Sequence, residues 1–156
     1  MGGKSMDALE VMRKSDVFQY LSDDELKELE KMCRHEVFEP GTTIFRQDKE
    51  AIEMYVIEEG SVSILFELSP ADLRQIQAAS NFECFGWAAT MPPYRRQRTV
   101  KALEKTKVLT FSGEEIHNLI NTNPRLLANI MVGVAHVIYK RLQTAFTQLM
   151  GVTYQF

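Results

Sequence analysis

The sequence predicts a mainly β protein of the α+β class: an antiparallel β-roll of about eight strands, jelly-roll-like, with helices before it and a long helix after it. Three observations lead to this prediction. The middle of the chain carries short β-branched and aromatic runs separated by turn residues. Ser-x-x-Glu capping boxes stand on either side of that region, at Ser22 and Ser112. From Pro124 to Leu149 no residue strongly opposes a helix.

Composition limits the class of protein. The chain has 156 residues, 45% of them hydrophobic and 25% charged, which suits one globular domain. Cys33 and Cys84 are far apart, which excludes a disulfide framework or a zinc motif. No apolar run approaches the roughly 20 residues of a membrane span, and no secretory signal precedes the first helix. We therefore expect a cytoplasmic protein that does not enter a membrane.

Residues 1–20 form the predicted N-terminal helical segment, with a short helix at about Asp7–Lys14. Either Met1 or Met6 can be the natural start. The capping box at Ser22 opens a second helix, predicted from Asp23 to about Cys33, in which Leu26 and Leu29 recur at helical spacing.

The predicted β-roll domain covers residues 21–123 and includes that second helix. Pro40-Gly41 and Glu59-Gly60 are turn signals, and the second of them joins two strands as a hairpin. The pattern predicts strands at residues 43–45, 54–58, 61–66, 73–78, 98–102 and 107–111.

The C-terminal segment, 124–156, is predicted to be a long helix. The Ser112 box opens a helix to about Asn121, and Asn123-Pro124 then provides an N-cap and a first-turn proline. An apolar stripe with alternating spacings of three and four follows, made of Leu127, Met131, Val134, Ile138, Leu142, Ala145 and Leu149. The Pro124–Leu149 helix is long enough to cover its own sheet and still pair with a second copy, so we expect a homodimer. The alternative is a lone amphipathic helix on its own core.

The segment from Phe85 to Ala102 carries the chemistry. Gly86 allows a close backbone turn, and Trp87–Thr90 can form one helical turn. Three guanidinium groups then fall within a stretch of four residues, at Arg95, Arg96 and Arg98, in a protein whose net charge is negative. Because the planar fork of arginine suits phosphate, this is a possible anion site; the alternative is a solvated basic loop.

The order of these pieces resembles the cyclic nucleotide-binding domain family, which includes catabolite activator proteins and regulatory subunits of cAMP-dependent kinase. The resemblance runs from Leu21 to Leu142. It covers Leu21–Leu26, Phe38–Phe45, Met54–Val62, Phe85-Gly86 and Arg96–Ala102. It implies a phosphate-binding cassette in which Arg96 meets the phosphate and Gly86 is the turn glycine. The implied site comprises Gly86, Trp87, Ala88, Arg95, Arg96, Gln97, Arg98 and Thr99.

The cassette departs from the family pattern. Trp87 stands where the family has a ribose-binding glutamate, and Gln97 and Arg98 stand where it has small residues. An indole cannot accept a hydrogen bond, and an unpaired buried hydroxyl costs about 1–3 kcal/mol. Three outcomes follow: cAMP or cGMP binds weakly through Arg96; another anion is held by the three arginines with Trp87 as a stacking surface; or Trp87 closes the pocket.

The sequence thus predicts a regulatory, non-catalytic sensor domain that binds a cyclic nucleotide or another small anion and signals through its last helix. No motif supplies a nucleophile, a metal site or an acid–base pair across a pocket. The net charge of −3 argues against direct contact with nucleic acid. The rival interpretation is a ligand-free domain that acts through dimerisation or protein interaction.

Overall fold

The structure, a computed structural model, describes residues 6–151. Its helices are α1 (Ala8–Lys14), α2 (Asp23–Glu30), α3 (Gly113–Thr122) and α4 (Pro124–Met150). Its strands are β1 (Cys33–Phe38), β2 (Thr43–Phe45), β3 (Glu53–Glu59), β4 (Ser61–Ser69), β5 (Asp72–Ser80), β6 (Cys84–Phe85), β7 (Thr99–Ala102) and β8 (Thr106–Ser112). One short 3₁₀ helix, Trp87–Thr90, follows β6. The predicted α+β fold class, with eight strands between helices, is confirmed.

The helix caps follow the sequence signals. Ser22 and Glu25 form the reciprocal capping box of α2, and Ser112 accepts from the backbone N–H of Glu115 at the start of α3. Asn123 caps α4, whose first residue is Pro124. The predicted end of α2 at Cys33 is wrong, because α2 stops at Glu30 and Cys33 opens β1.

The strands form two antiparallel four-stranded sheets. One has the order β1-β8-β3-β6 and the other β2-β7-β4-β5. The predicted turn at Gly60 joins β3 to β4, although the two strands belong to different sheets and form no hairpin pair. The hairpin is instead β4–β5, with Val62 opposite Ala79.

Two hydrophobic clusters hold the layers together. The first lies between the two sheets and includes Ile57, Val62, Phe85 and Val100. The second joins the outer face of the β1-β8-β3-β6 sheet to all four helices, with Phe18 edge-on to Phe111 at 5.1 Å between ring centroids. The helices therefore pack on one sheet of the roll, and the cassette between β6 and β7 lies where that sheet meets them.

Helix α4 packs with its N-terminal half. Its fully buried residues are Leu126, Ile130, Gly133, Val134 and Val137. The predicted stripe is therefore displaced: of its members only Val134 is fully buried, and Leu142 and Leu149 are exposed. The reason is that α4, with 3.6 residues per turn, packs on a short sheet. The sheet buries one face of α4 for about three turns, and the rest of the helix extends past the sheet.

Within residues 6–151 no helix combines the length and the apolar composition that crossing a bilayer demands.

Candidate ligand-binding site

The cassette begins with a left-handed turn at Gly86. Its φ of +78° is one that residues with a Cβ rarely adopt. A Cβ built there would lie 3.0 Å from Nη1 of Arg96 and 3.1 Å from Cδ2 of Tyr55. Glycine at this position therefore permits both the turn and the close approach of the Arg96 side chain. The predicted helical turn follows it as the 3₁₀ helix Trp87–Thr90.

Arg96 is a buried cation, with only 3% of its surface exposed. Its Nη1 donates to the carbonyl of Gly86 at 2.9 Å, and its Nη2 donates to the carbonyl of Glu53 at 2.6 Å. The guanidinium carbon lies over the ring of Phe45, 3.8 Å from its centroid. Burial lowers the pKa of Arg96 to about 10, so the group is still charged at neutral pH.

The charge of Arg96 is only partly compensated. The ion pairs found among residues 6–151 do not include it. Its Nε is buried and has no hydrogen-bond partner in the described chain. A buried donor without an acceptor is costly, so this side chain is better satisfied when an acceptor joins it.

A half-open cavity of about 80 Å³ lies at Arg96. Six of the eight predicted site residues line it: Gly86, Trp87, Ala88, Arg96, Gln97 and Arg98. The other walls are the apolar side chains of Phe45, Ile64, Phe85 and Val100. The structure thus brings most of the predicted cassette around one opening.

Two predicted residues lie outside this lining. Arg95 is exposed and donates from Nη2 to the carbonyl of Asp48 at 2.8 Å. Thr99 is buried, and its hydroxyl donates to Glu67 at 2.7 Å. The expected three-arginine group is therefore reduced to Arg96 and Arg98 at the cavity, and the Arg98 guanidinium lies 4.9 Å from the ring centroid of Phe66.

Trp87 both lines the cavity and packs against the helical core. Its ring lies 5.7 Å from the guanidinium of Arg141, on α4. Arg141 donates from Nη2 to the carbonyl of Cys84 at 3.2 Å and from Nη1 to that of Ala78 at 3.4 Å. Arg141 therefore connects the last helix to the cassette.

Sequence reasoning missed Arg141 and the apolar walls of the cavity. The inward alternation of β2, β4 and β7 could have indicated Phe45, Ile64 and Val100, because alternate strand residues share a face. No local signal marks Arg141, since its contacts lie 57 and 63 residues away along the chain. Among the described residues, no group of three histidine, cysteine or acidic side chains could hold a metal ion.

A buried arginine at a glycine turn, beside a cavity in an antiparallel β-roll, forms a candidate small-ligand site. The protein-family model of the cyclic nucleotide-binding domain matches residues 35–123, more than half of the chain. The chain therefore belongs to the cyclic nucleotide-binding domain family, as its sequence predicts.

Solved structures share the fold at low sequence identity. A cyclic nucleotide-binding domain from Methylobacillus flagellatus is 14% identical, with a TM-score of 0.81 over 96% of this chain and 84% of that chain. The catabolite activator protein of Thermus thermophilus is 22% identical, with a TM-score of 0.72 over 86% of this chain and 62% of that chain.

A curated relative is a longer protein. The "Putative potassium channel protein" of Rhodopseudomonas palustris is 29% identical over 114 residues. The match spans 73% of this chain but only 27% of the relative.

Proposed function

We propose that this domain binds a cyclic nucleotide or another small anion at the Gly86–Thr99 cassette and signals its presence through α4. The observation that carries the proposal is Arg96: a buried charge beside a cavity, outside every described ion pair and with one donor unsatisfied. An anion in the cavity would supply the negative charge that Arg96 lacks. We place the domain in the reducing cytoplasm, since both cysteines are free thiols.

The signalling step uses the contact between cassette and helix. Trp87 lines the cavity, and its ring also lies near the guanidinium of Arg141. A ligand that repositions Trp87 would change how Arg141 holds the second half of α4, which is a shift between two populations of the helix. Membership of the family supports this regulatory role, and we expect no catalysis.

A dimerisation role is the second candidate, and one observation favours it. On its exposed surface, α4 carries apolar residues at alternating spacings of three and four: Val132, Ala135, Tyr139, Leu142, Phe146 and Leu149. This set, the exposed seam, has the 3.5-residue repeat of a coiled coil. A second copy of the same helix is the partner that this repeat fits. The seam can operate with or without a ligand.

The ligand proposal is tested by calorimetric titration of the purified protein with cAMP and with cGMP. We expect micromolar affinity for at least one of them, and at least tenfold weaker binding by Arg96→Ala, which loses charge-assisted hydrogen bonds. Arg96→Lys keeps the charge and guards against loss of folding in the alanine variant. Arg74→Ala removes an exposed arginine on the β4–β5 hairpin and is the matched control. No heat with either nucleotide at millimolar concentration would refute cyclic-nucleotide binding.

A further inference from the structure

The walls of the cassette cavity are mostly apolar. Apart from Arg96, Gln97 and Arg98, every lining residue is apolar or glycine. No aspartate, glutamate, serine or threonine side chain of residues 6–151 lines the cavity. Glu67 accepts from Thr99 at 2.7 Å and pairs with Arg46 at 3.1 Å, and these three residues do not line the cavity.

This lining has a consequence for ligands that carry hydroxyl groups. The described wall offers such groups no carboxylate or hydroxyl acceptor, and its neutral side-chain acceptor is the amide of Gln97. A body with several hydroxyl groups therefore leaves some of them unpaired, and each unpaired group weakens binding by about tenfold or more. An aromatic or other flat apolar body instead meets the aromatic side chains of Phe45, Phe85 and Trp87.

The size of the cavity points the same way. Its volume of about 80 Å³ is far below the roughly 300–1,000 Å³ of pockets that enclose drug-sized ligands. The cations in its lining are Arg98 and Arg96, and Arg96 is already fixed by two carbonyls and the Phe45 ring. The cavity therefore suits a single acidic group attached to a small body.

We propose that the cassette cavity selects compact aryl acids, meaning small aromatic phosphate esters or carboxylates, over anions whose body is rich in hydroxyl groups. The acid group meets the Arg96 guanidinium, and the ring lies between Trp87 and the apolar walls. This inference rests on the proposed function, because it requires that Arg96 bind an anion, but it adds the chemistry of the rest of the ligand.

The test is a calorimetric comparison of matched anions on the intact protein. Phenyl phosphate and ribose 5-phosphate share a phosphate head and differ in their body. We expect phenyl phosphate to bind at least tenfold more tightly, and Arg96→Ala and Arg96→Lys to weaken it while Arg74→Ala does not. Benzoate distinguishes the carboxylate from the phosphate form of the same class. As a second pair, 2′-deoxy-cAMP should bind at least as tightly as cAMP.

The outcomes separate this inference from the proposed function. If cAMP or ribose 5-phosphate binds through Arg96 more tightly than phenyl phosphate, or if removing the 2′-hydroxyl weakens binding tenfold, the selectivity for aryl acids is wrong and the anion site stands. If none of these anions binds in a manner that depends on Arg96, both the inference and the anion site are refuted.

Discussion

Arg96 and Gly86 depend on each other at the scale of single residues. The guanidinium donates to the carbonyl of Gly86, and it approaches so closely that a Cβ at Gly86 would press on Nη1. The carbonyl of Glu53 and the ring of Phe45 also hold the guanidinium in place. The charge is thus oriented before any ligand arrives, which reduces the cost of ordering it on binding.

Asp16 is a half-buried carboxyl group, at the other end of the short strand that leads into the cassette. Its carboxylate accepts from the backbone N–H of Cys84 at 2.9 Å. Burial raises its pKa from 3.8 to about 6, and Glu83 adds to the rise. The Cys84 hydrogen bond, Arg141 and Lys140 oppose the rise.

The pKa of Asp16 predicts a pH dependence of the free energy of unfolding. Between the unfolded and folded pKa values the native state binds more protons than the unfolded state, so stability falls as pH rises from about 4 to about 6. Asp16→Asn keeps an acceptor for Cys84 and cannot ionise. Urea unfolding should show the variant more stable than the wild type by up to about 3 kcal/mol at neutral pH and equal to it below pH 4.

The exposed Asp24→Asn is the control for Asp16→Asn, and it should leave the curve unchanged. A variant at Asp16 that is less stable than the wild type at neutral pH would show that the carboxylate contributes as an ion, contrary to this account.

At the scale of elements, α4 consists of two halves with different attachments. The first half is fixed by apolar packing and by Gly133, where a Cβ would overlap the carbonyl oxygen of Val17. The second half is held to β5 mostly by polar contacts. These include Gln77 to the carbonyl of Arg141 at 3.1 Å and Gln148 to that of Ile76 at 3.0 Å. The second half is therefore the part that can be released with little loss of core packing.

The exposed seam, which runs from Val132 in the first half of α4 to Leu149 in the second, predicts a dimer. Sedimentation equilibrium should give about twice the chain mass of 17.9 kDa. Phe146→Glu should shift the protein to the monomer, because an unpaired carboxylate inside an apolar seam is strongly unfavourable. Lys140→Glu places a carboxylate on the same helix but off the seam, and should leave the dimer intact. A wild-type monomer at high micromolar concentration would contradict the pairing of these helices.

How far the sequence predicted each element depended on how local its signals were. Caps, glycine turns and the long helix are coded within a few residues, and these were predicted. Strand β1 was missed because its sequence, Cys-Arg-His-Glu-Val-Phe, is an edge strand with four exposed residues and no alternating pattern. It is a strand because β8 pairs with it, from Cys33 opposite Phe111 to Phe38 opposite Thr106.

The site was predicted in its position and only partly in its form. The sequence indicated Gly86, the helical turn and Arg96, since these follow one another along the chain. It could not show that Arg95 turns away to Asp48, or that Glu53 and Phe45 hold Arg96, because those contacts join segments about 40 to 50 residues apart. Which arginine faces a cavity is decided by tertiary packing.

At the scale of the whole molecule, the cassette joins the roll to the helices. The 3₁₀ helix packs on α3 so closely that a Cβ on Gly113 would overlap the carbonyl of Ala89. Trp87 and Arg141 connect the same turn to α4. A change at the cavity therefore has two packed routes to the C-terminal helix, one through α3 and one through Arg141.

Trp87 allows the most direct measurement of the central claim, because it is the chain's single tryptophan and it lines the cavity. Its fluorescence would be titrated with cAMP, cGMP and phenyl phosphate, in the wild type and in folded Arg96→Ala. An anion site built on Arg96 should give a saturable change with at least one of these anions, and the variant should lose that change. A wild-type signal that stays constant with all three at millimolar concentration, or a response that survives in Arg96→Ala, would contradict an anion site built on Arg96.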